Sequence, residues 1–225
     1  ALAAYQAIAH YGKDAILLVL PADHLIENTA ALNQAVIDAA QLASQGYLVT
    51  FGLTPSSPET GFGYIECGQA LGVGKKVSRF VEKPNLSTAE QYLAAGNYLW
   101  NSGMFCFQAA TLLEQMQLWA PKVASSAKAC WSAMGATAAT SQALEIDPTS
   151  FQAIPNISID YALMERSDKV AVIEGGFDWN DIGSWAAVRD LAKPDNNGNR
   201  ALGESVFVDS TNTFVQSEDR LVATV

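Results

Sequence analysis

Four ionisable side chains sit where apolar runs end. Asp23 comes directly after Ile16-Leu17-Leu18-Val19-Leu20-Pro21-Ala22, and Asp181 follows Val170-Ala171-Val172-Ile173 through a Gly- and Trp-containing stretch. Two carboxylates at strand ends, joined by the phosphates of a substrate, are a common way to hold Mg²⁺. An Asp so placed is also an ordinary helix cap, and spacing alone does not separate the two readings. Glu82-Lys83-Pro84 sets opposite charges side by side at another strand end. On open surface such a pair does little. In a pocket, Glu82 can accept hydrogen bonds from sugar hydroxyls and Lys83 can neutralise a phosphate. Gly61-Phe62-Gly63-Tyr64 lets a ligand approach the backbone closely, and Asn101-Ser102-Gly103 adds amide groups beside an apolar strand. Both stretches also read simply as turns.

Other chemistries find little support. His10 and His24 are the two histidines, and no Ser/His/Asp arrangement is argued by spacing. Gly72-Val73-Gly74 lacks the third glycine of a dinucleotide loop and lies between two strands, so it reads as a hairpin turn. Cys67, Cys106 and Cys130 are isolated, without CxxC spacing, and read as buried reduced thiols of a cytoplasmic protein.

The elements that must position these residues alternate. Residues 1 to about 11 are helical up to Gly12, a strand runs into Pro21, and Asn28 or Thr29 caps a helix that stops at Gly46. A second strand follows at Tyr47–Gly52. Strand, helix, strand predicts a right-handed crossover with parallel strands. The continuous run Ile16–Leu20 predicts a strand buried on both faces of a parallel sheet. Ligands of such sheets bind beyond the C-terminal strand ends, which is where Asp23 falls. Strands are then expected at Tyr64–Cys67, Lys76–Lys83, Asn101–Phe107 and Val170–Ile173. Helices are expected after Ser87, with Glu90 completing a capping box, and across 109–134 with a break near Pro121. Residues 137–149 read as a loop, and 194–199 as a linker ahead of short β runs at Val206, Phe214 and Leu221. Those runs suit the start of a β-solenoid or a second sheet. The expected division is therefore 1–193 and 194–225.

The chain has 225 residues, 49% hydrophobic and 16% charged, enough for one large buried core. Its net charge of −10 argues against nucleic acid and anionic membrane as partners. No apolar run reaches the roughly 18 residues of a membrane span.

Taken in order, six motifs resemble the sugar nucleotidyltransferases, most closely the bacterial mannose-1-phosphate guanylyltransferases often fused to an isomerase domain. They are Leu18–His24, Gly61–Glu66, Phe80–Pro84, Asn101–Phe105, Ser158–Ala162 and Phe177–Trp185. The resemblance implies a Rossmann-like α/β fold, a mainly parallel sheet flanked by helices. It implies Asp23 and Asp181 as Mg²⁺ ligands, Glu82 on the sugar and Lys83 on its phosphate. Gly63, Tyr64 and Asn101 would line the sugar pocket, while Asp160 falls in a motif without a settled role. The implied reaction joins mannose 1-phosphate to GTP, giving GDP-mannose and pyrophosphate. The same chemistry with another sugar 1-phosphate and UTP or dTTP stays open, as does a non-catalytic regulatory relative. The family's glycine-rich phosphate loop has no counterpart here. The expectation is a fragment cut at both ends, inactive alone, from a longer parent carrying a fused isomerase domain, with homo-oligomers among the assemblies allowed.

Overall fold

The computed structural model describes residues 1–135 and 145–225, which fall into two compact units. The first comprises residues 1–22 and 27–178, the second 23–26 and 179–225. The expected loop over 137–149 lies outside the described residues as far as 144. Its end is a short helix, Pro148–Gln152, capped by the Asp147 carboxylate.

In chain order the first unit runs α1 (Leu2–Tyr11), β1 (Ile16–Val19), α2 (Thr29–Ala43), β3 (Leu48–Leu53), β4 (Tyr64–Leu71), β5 (Gly74–Val81), α3 (Leu86–Ala95), β6 (Tyr98–Gln108), α4 (Ala109–Trp119), α5 (Pro121–Ala133), α6 (Pro148–Gln152), a π-helical turn (Asp160–Met164) and β7 (Val170–Glu174). The caps follow local chemistry. Asn28 Oδ1 accepts from Ala31 N at the start of α2. The start of α3 differs from the expectation: Asn85, not Ser87, is the cap, accepting from Thr88 N at 2.9 Å. Pro121 opens α5, where its missing N–H costs nothing.

The sheet order is β1-β6-β3-β7-β5-β4. The α/β class is as expected, but the sheet is mixed rather than mainly parallel. β1, β3, β7 and β4 point one way, yet β6 and β5 run against them, so β3–β7 is the one parallel neighbour pair among the described strands of this sheet. β6 also pairs with β4, so β6, β3, β7, β5 and β4 form a closed circuit. β1 lies outside it as an edge strand with β6 as its neighbour. This corrects the doubly buried strand: Ile16 and Val19 are each 42% exposed and Leu18 39%. An unbroken apolar run fixes neither a strand's place in a sheet nor what covers it. The strand that is buried throughout is β3. Its Leu48 shares one core with Leu99, Phe105, Phe107, Leu163 and Val172, each contributing about 1.5–3 kcal/mol on burial.

The second unit starts with a ribbon of β2 (Leu25–Ile26) and β8 (Trp179–Asn180), in register Leu25↔Asn180 and Ile26↔Trp179. After α7 (Trp185–Asp190), four short strands wind in parallel layers: β9 (Arg200–Leu202) on β11 (Phe214–Gln216), and β10 (Ser205–Phe207) on β12 (Val222–Thr224). This is the stacking of successive solenoid coils. The linker-like 194–199 stretch is an ordered turn within the unit. Asp195 Oδ1 accepts from Asn197 N and Asn199 N, and buried Asn199 bonds Asp195, the Ser210 carbonyl and Thr213 N.

Gly203 makes the coil possible. Its φ is +105°, and a Cβ there would overlap the Ser217 carbonyl oxygen, while Ser217 N donates to Leu202 O. Gly203→Ala should therefore lower the unfolding free energy by about 1–3 kcal/mol and open the coil to limited proteolysis. Wild-type denaturation and digestion patterns would contradict this account of the stacking.

Candidate functional site

The first unit gathers four expected pocket residues at the end of β5. Gly63 sets the spacing: a Cβ placed on it would lie 2.6 Å from Glu82 Oε2 and 3.3 Å from Asn101 Cβ. Only a residue without a side chain lets the Glu82 carboxylate rest on this backbone. Asn101 N donates to Gly63 O at 2.8 Å, which ties β6 to the Gly61–Tyr64 turn.

Asn101 lies within reach of Thr50 because of a bulge. Thr50 pairs with Phe105 and Gly52 with Asn101, so Ser102, Gly103 and Met104 face Phe51 alone. Gly103 takes a positive φ of 72° within the bulge. The two extra residues leave Asn101 on the face it shares with Thr50 and bring it two positions closer along β3. Asn101 Nδ2 then donates to Asp160 Oδ1 at 3.3 Å, and Thr50 Oγ1 donates to Asn101 Oδ1 at 2.8 Å.

Asp160 opens the π-helical turn, which is widened by Glu165 N donating five residues back to Asp160 O at 3.0 Å. Such turns recur at functional sites. Glu165 Oε1 in turn accepts from Glu82 N. Lys83 follows with a φ of +48°, and its Nζ lies 3.7 Å from Glu82 Oε1. The Lys83 side chain is 62% exposed while that of Glu82 is 15% exposed. The outcome is a half-buried acidic wall with one exposed cation at its rim.

Burial pushes the Glu82 carboxyl above the usual range, and neighbouring Asp160 and Glu165 push the same way against Lys83. Asp160 is also raised, chiefly by burial and less by Glu165, with its own backbone, Ser158 and Asn101 opposing. Tyr64 differs from the expectation. Its ring is fully buried against Tyr92, so its side chain does not line the Gly63 surface.

Asp23 and Asp181 both belong to the second unit. They flank the β2–β8 ribbon, which by continuation of its register sets position 23 across from 182. The Asp23 side chain is 87% exposed, and its Oδ1 lies 4.0 Å from His24 Nε2. His24 is held by the Trp179 indole, which donates to Nδ1 at 3.0 Å. Asp181 Oδ1 accepts from Gly183 N. Among the described residues no group of three or more His, Cys, Asp or Glu is arranged to hold a metal.

Two cavities of about 520 and 550 Å³ lie elsewhere in the first unit. One is apolar and lined by Leu17, Phe105, Phe107 and Met116; the other holds the Lys75–Glu174 ion pair at 3.1 Å, Cys67 and Tyr98. Neither is lined by Glu82, Lys83 or Asn101. Thr50 and Glu165 were not legible as site residues. A Thr inside an apolar strand and a Glu after a helical turn have ordinary structural readings.

Residues 1–198 match the model of the nucleotidyl transferase family. The xanthan biosynthesis protein XanB of Xanthomonas campestris pv. campestris strain B100 is 43% identical over the whole chain, which covers 47% of that protein. The mannose-1-phosphate guanylyltransferase of Klebsiella pneumoniae is 41% identical, with 100% and 48% covered. A solved structure described as mannose-1-phosphate geranyltransferase from Thermus thermophilus superposes with a TM-score of 0.81 at 33% identity, covering 93% of this chain and 60% of that one. The chain thus spans about half the length of the curated relatives it matches.

Raised carboxyls oppose stability at neutral pH. Between the ordinary carboxylate values and the raised ones, Glu82 and Asp160 bind more protons in the folded chain than in the unfolded chain. Their contribution is complete below the unfolded values and is lost as pH rises through the raised folded values. Glu82→Gln should therefore raise Tm at pH 7.5, by about 2–4 °C per kcal/mol relieved. The gain should vanish below the ordinary carboxylate range. A lower Tm for the variant at pH 7.5, measured by calorimetry, would show that Glu82 is stabilising as an anion.

Proposed function

The chain belongs to the nucleotidyl transferase family, and from that premise we propose that the full-length protein transfers a guanylyl group from GTP to mannose 1-phosphate. The products are GDP-mannose and pyrophosphate. The observation that carries the sugar half of this reading is the convergence of Glu82 and Asn101 over Gly63, backed by Asp160. Carboxylate acceptors beside an amide donor suit the hydroxyls of a sugar ring, each of which both donates and accepts. Lys83, exposed at the rim, would take the sugar phosphate. The name carried by the Klebsiella relative supports the choice of mannose and guanine.

A phosphate oxygen of mannose 1-phosphate attacks the α-phosphorus of GTP. The new P–O bond forms as the bond to the bridging oxygen breaks, and that oxygen leaves with pyrophosphate. The protein supplies no nucleophile, in keeping with a chain so poor in bases. Its residues position and neutralise: Glu82 and Asn101 hold the ring, and Lys83 offsets charge on the attacking phosphate.

Asp23 and Asp181 fit Mg²⁺. They offer oxygen donors from the two arms of one ribbon, and a hard ion that keeps waters and binds substrate phosphates needs no all-protein cage. Bound there, Mg²⁺ would withdraw charge from the triphosphate and the departing pyrophosphate. The proposal extends to a cytoplasmic setting, in keeping with free Cys67, Cys106 and Cys130. It also includes a fused isomerase domain in the full-length protein, in keeping with the greater length of the relatives. No helix among the described residues is long and apolar enough to cross a membrane.

The test is pyrophosphate release by the full-length protein with each nucleotide and sugar 1-phosphate in turn. GTP with mannose 1-phosphate should exceed UTP or dTTP with glucose 1-phosphate by at least about 100-fold in kcat/KM, or roughly 2.7 kcal/mol. Lys83→Met should raise KM for mannose 1-phosphate far more than KM for GTP. Equal changes, or none, would return the Glu82–Lys83 pair to ordinary surface. Asp181→Asn should abolish turnover and weaken Mn²⁺ binding followed by electron paramagnetic resonance, with the circular dichroism spectrum unchanged. Undiminished Mn²⁺ binding would remove Asp181 from the metal site.

A further inference from the structure

We propose that Thr50 is a positioning residue whose hydroxyl fixes which way the Asn101 carboxamide faces, and so sets the affinity of the pocket for the sugar. This rests on the reading of Asn101 as a sugar contact. Thr50 lies in the middle of β3, fully buried between Val49 and Phe51. A hydroxyl in such a place must find a partner or cost stability. It has two acceptors, Asn101 Oδ1 at 2.8 Å and the Met104 carbonyl oxygen at 3.2 Å. Both belong to the bulge of β6, so one proton serves the strand distortion and the amide together.

A carboxamide can turn end for end with little change in shape, so its neighbours decide its orientation. Thr50 presents a donor and requires the oxygen of Asn101. Asp160 presents an acceptor and requires the nitrogen, which it meets at 3.3 Å. Turning the amide over would set Oδ1 of Asn101 against Oδ1 of Asp160 and leave the Thr50 proton to Met104 alone. In the orientation held by Thr50, Asn101 Nδ2 keeps one N–H beyond the bond to Asp160. That N–H is the donor left for a ligand. The Glu82 carboxylate over Gly63 is the acceptor beside it. A hydroxyl of the sugar ring can accept from the first while it, or the adjacent hydroxyl, donates to the second. Thr50 itself never touches substrate.

The test compares Thr50→Val, Thr50→Ser and Asn101→Ala in the full-length protein, with GTP and mannose 1-phosphate. Val keeps the shape of Thr and removes the donor; Ser restores it. Thr50→Val should raise KM for mannose 1-phosphate about tenfold, as expected for one well-placed hydrogen bond. The KM for GTP and kcat should stay within about twofold, and Thr50→Ser should return to within about twofold of wild type. A wild-type KM in Thr50→Val alongside a raised KM in Asn101→Ala overturns this inference alone. An unchanged KM in Asn101→Ala overturns the sugar-pocket reading beneath it. Equal losses in Val and Ser variants show that packing, not the hydroxyl, matters, and also overturn the proposal. Should Thr50→Val fail to fold, Thr50→Cys replaces it. The weak thiol donor should give an intermediate KM, and a wild-type value there counts against the proposal.

Discussion

The slip between β3 and β6 is the constraint on which the rest of the site depends. Three residues of β6 face one of β3, and Gly103 absorbs the excess with a left-handed backbone. Without that bulge, Asn101 would keep its face but stand two positions farther along β3, beyond reach of Thr50. With it, one buried hydroxyl, one amide and one carboxylate form a chain from the centre of the core to the π-helical turn. The same strand changes partner near the bulge, pairing with β4 before it and with β1 after it. β6 therefore both closes the strand circuit and carries the polar group that the circuit delivers.

The carboxylates of this pocket are held against their own preference for water. Glu82 and Asp160 are pushed toward their neutral forms by burial and by neighbouring carboxylates. A fold selected for stability alone would not place Glu82, Asp160 and Glu165 together with Lys83 as their nearby cation. The π-helical turn adds to this arrangement, because its Glu165 holds the backbone of Glu82. Strain of this kind is expected where a ligand's hydroxyls are to replace water as the hydrogen-bond partners.

Much of this was legible in the sequence because the signals were local. Gly63, Glu82, Lys83 and Asn101 stood out as polar or side-chain-free residues at the ends of apolar runs. The helices, the β4–β5 hairpin with its turn at Gly72-Val73, and the short C-terminal β runs followed from periodicity and turn signals, while a coil and a second sheet stayed equally open for the last of these. What could not be read was non-local. The run Ile16–Leu20 looked central and proved to be an edge, because what covers a strand lies far away in sequence. Thr50 looked like an ordinary strand former, and its acceptor sits 51 residues away. Tyr64 shares a motif with Gly63, but alternation along the strand turns its ring into the core. The 194–199 stretch has a linker's composition, yet its Asp and Asn close a turn on themselves.

The most direct test of the central claim is a crystal structure of the full-length protein soaked with mannose 1-phosphate. The account predicts ring hydroxyls on Glu82 and Asn101 Nδ2 over Gly63, with the phosphate beside Lys83 and Thr50 Oγ1 still on Asn101 Oδ1. A sugar seated instead in the 550 Å³ cavity beside Lys75 and Glu174, with Glu82 untouched, would contradict it.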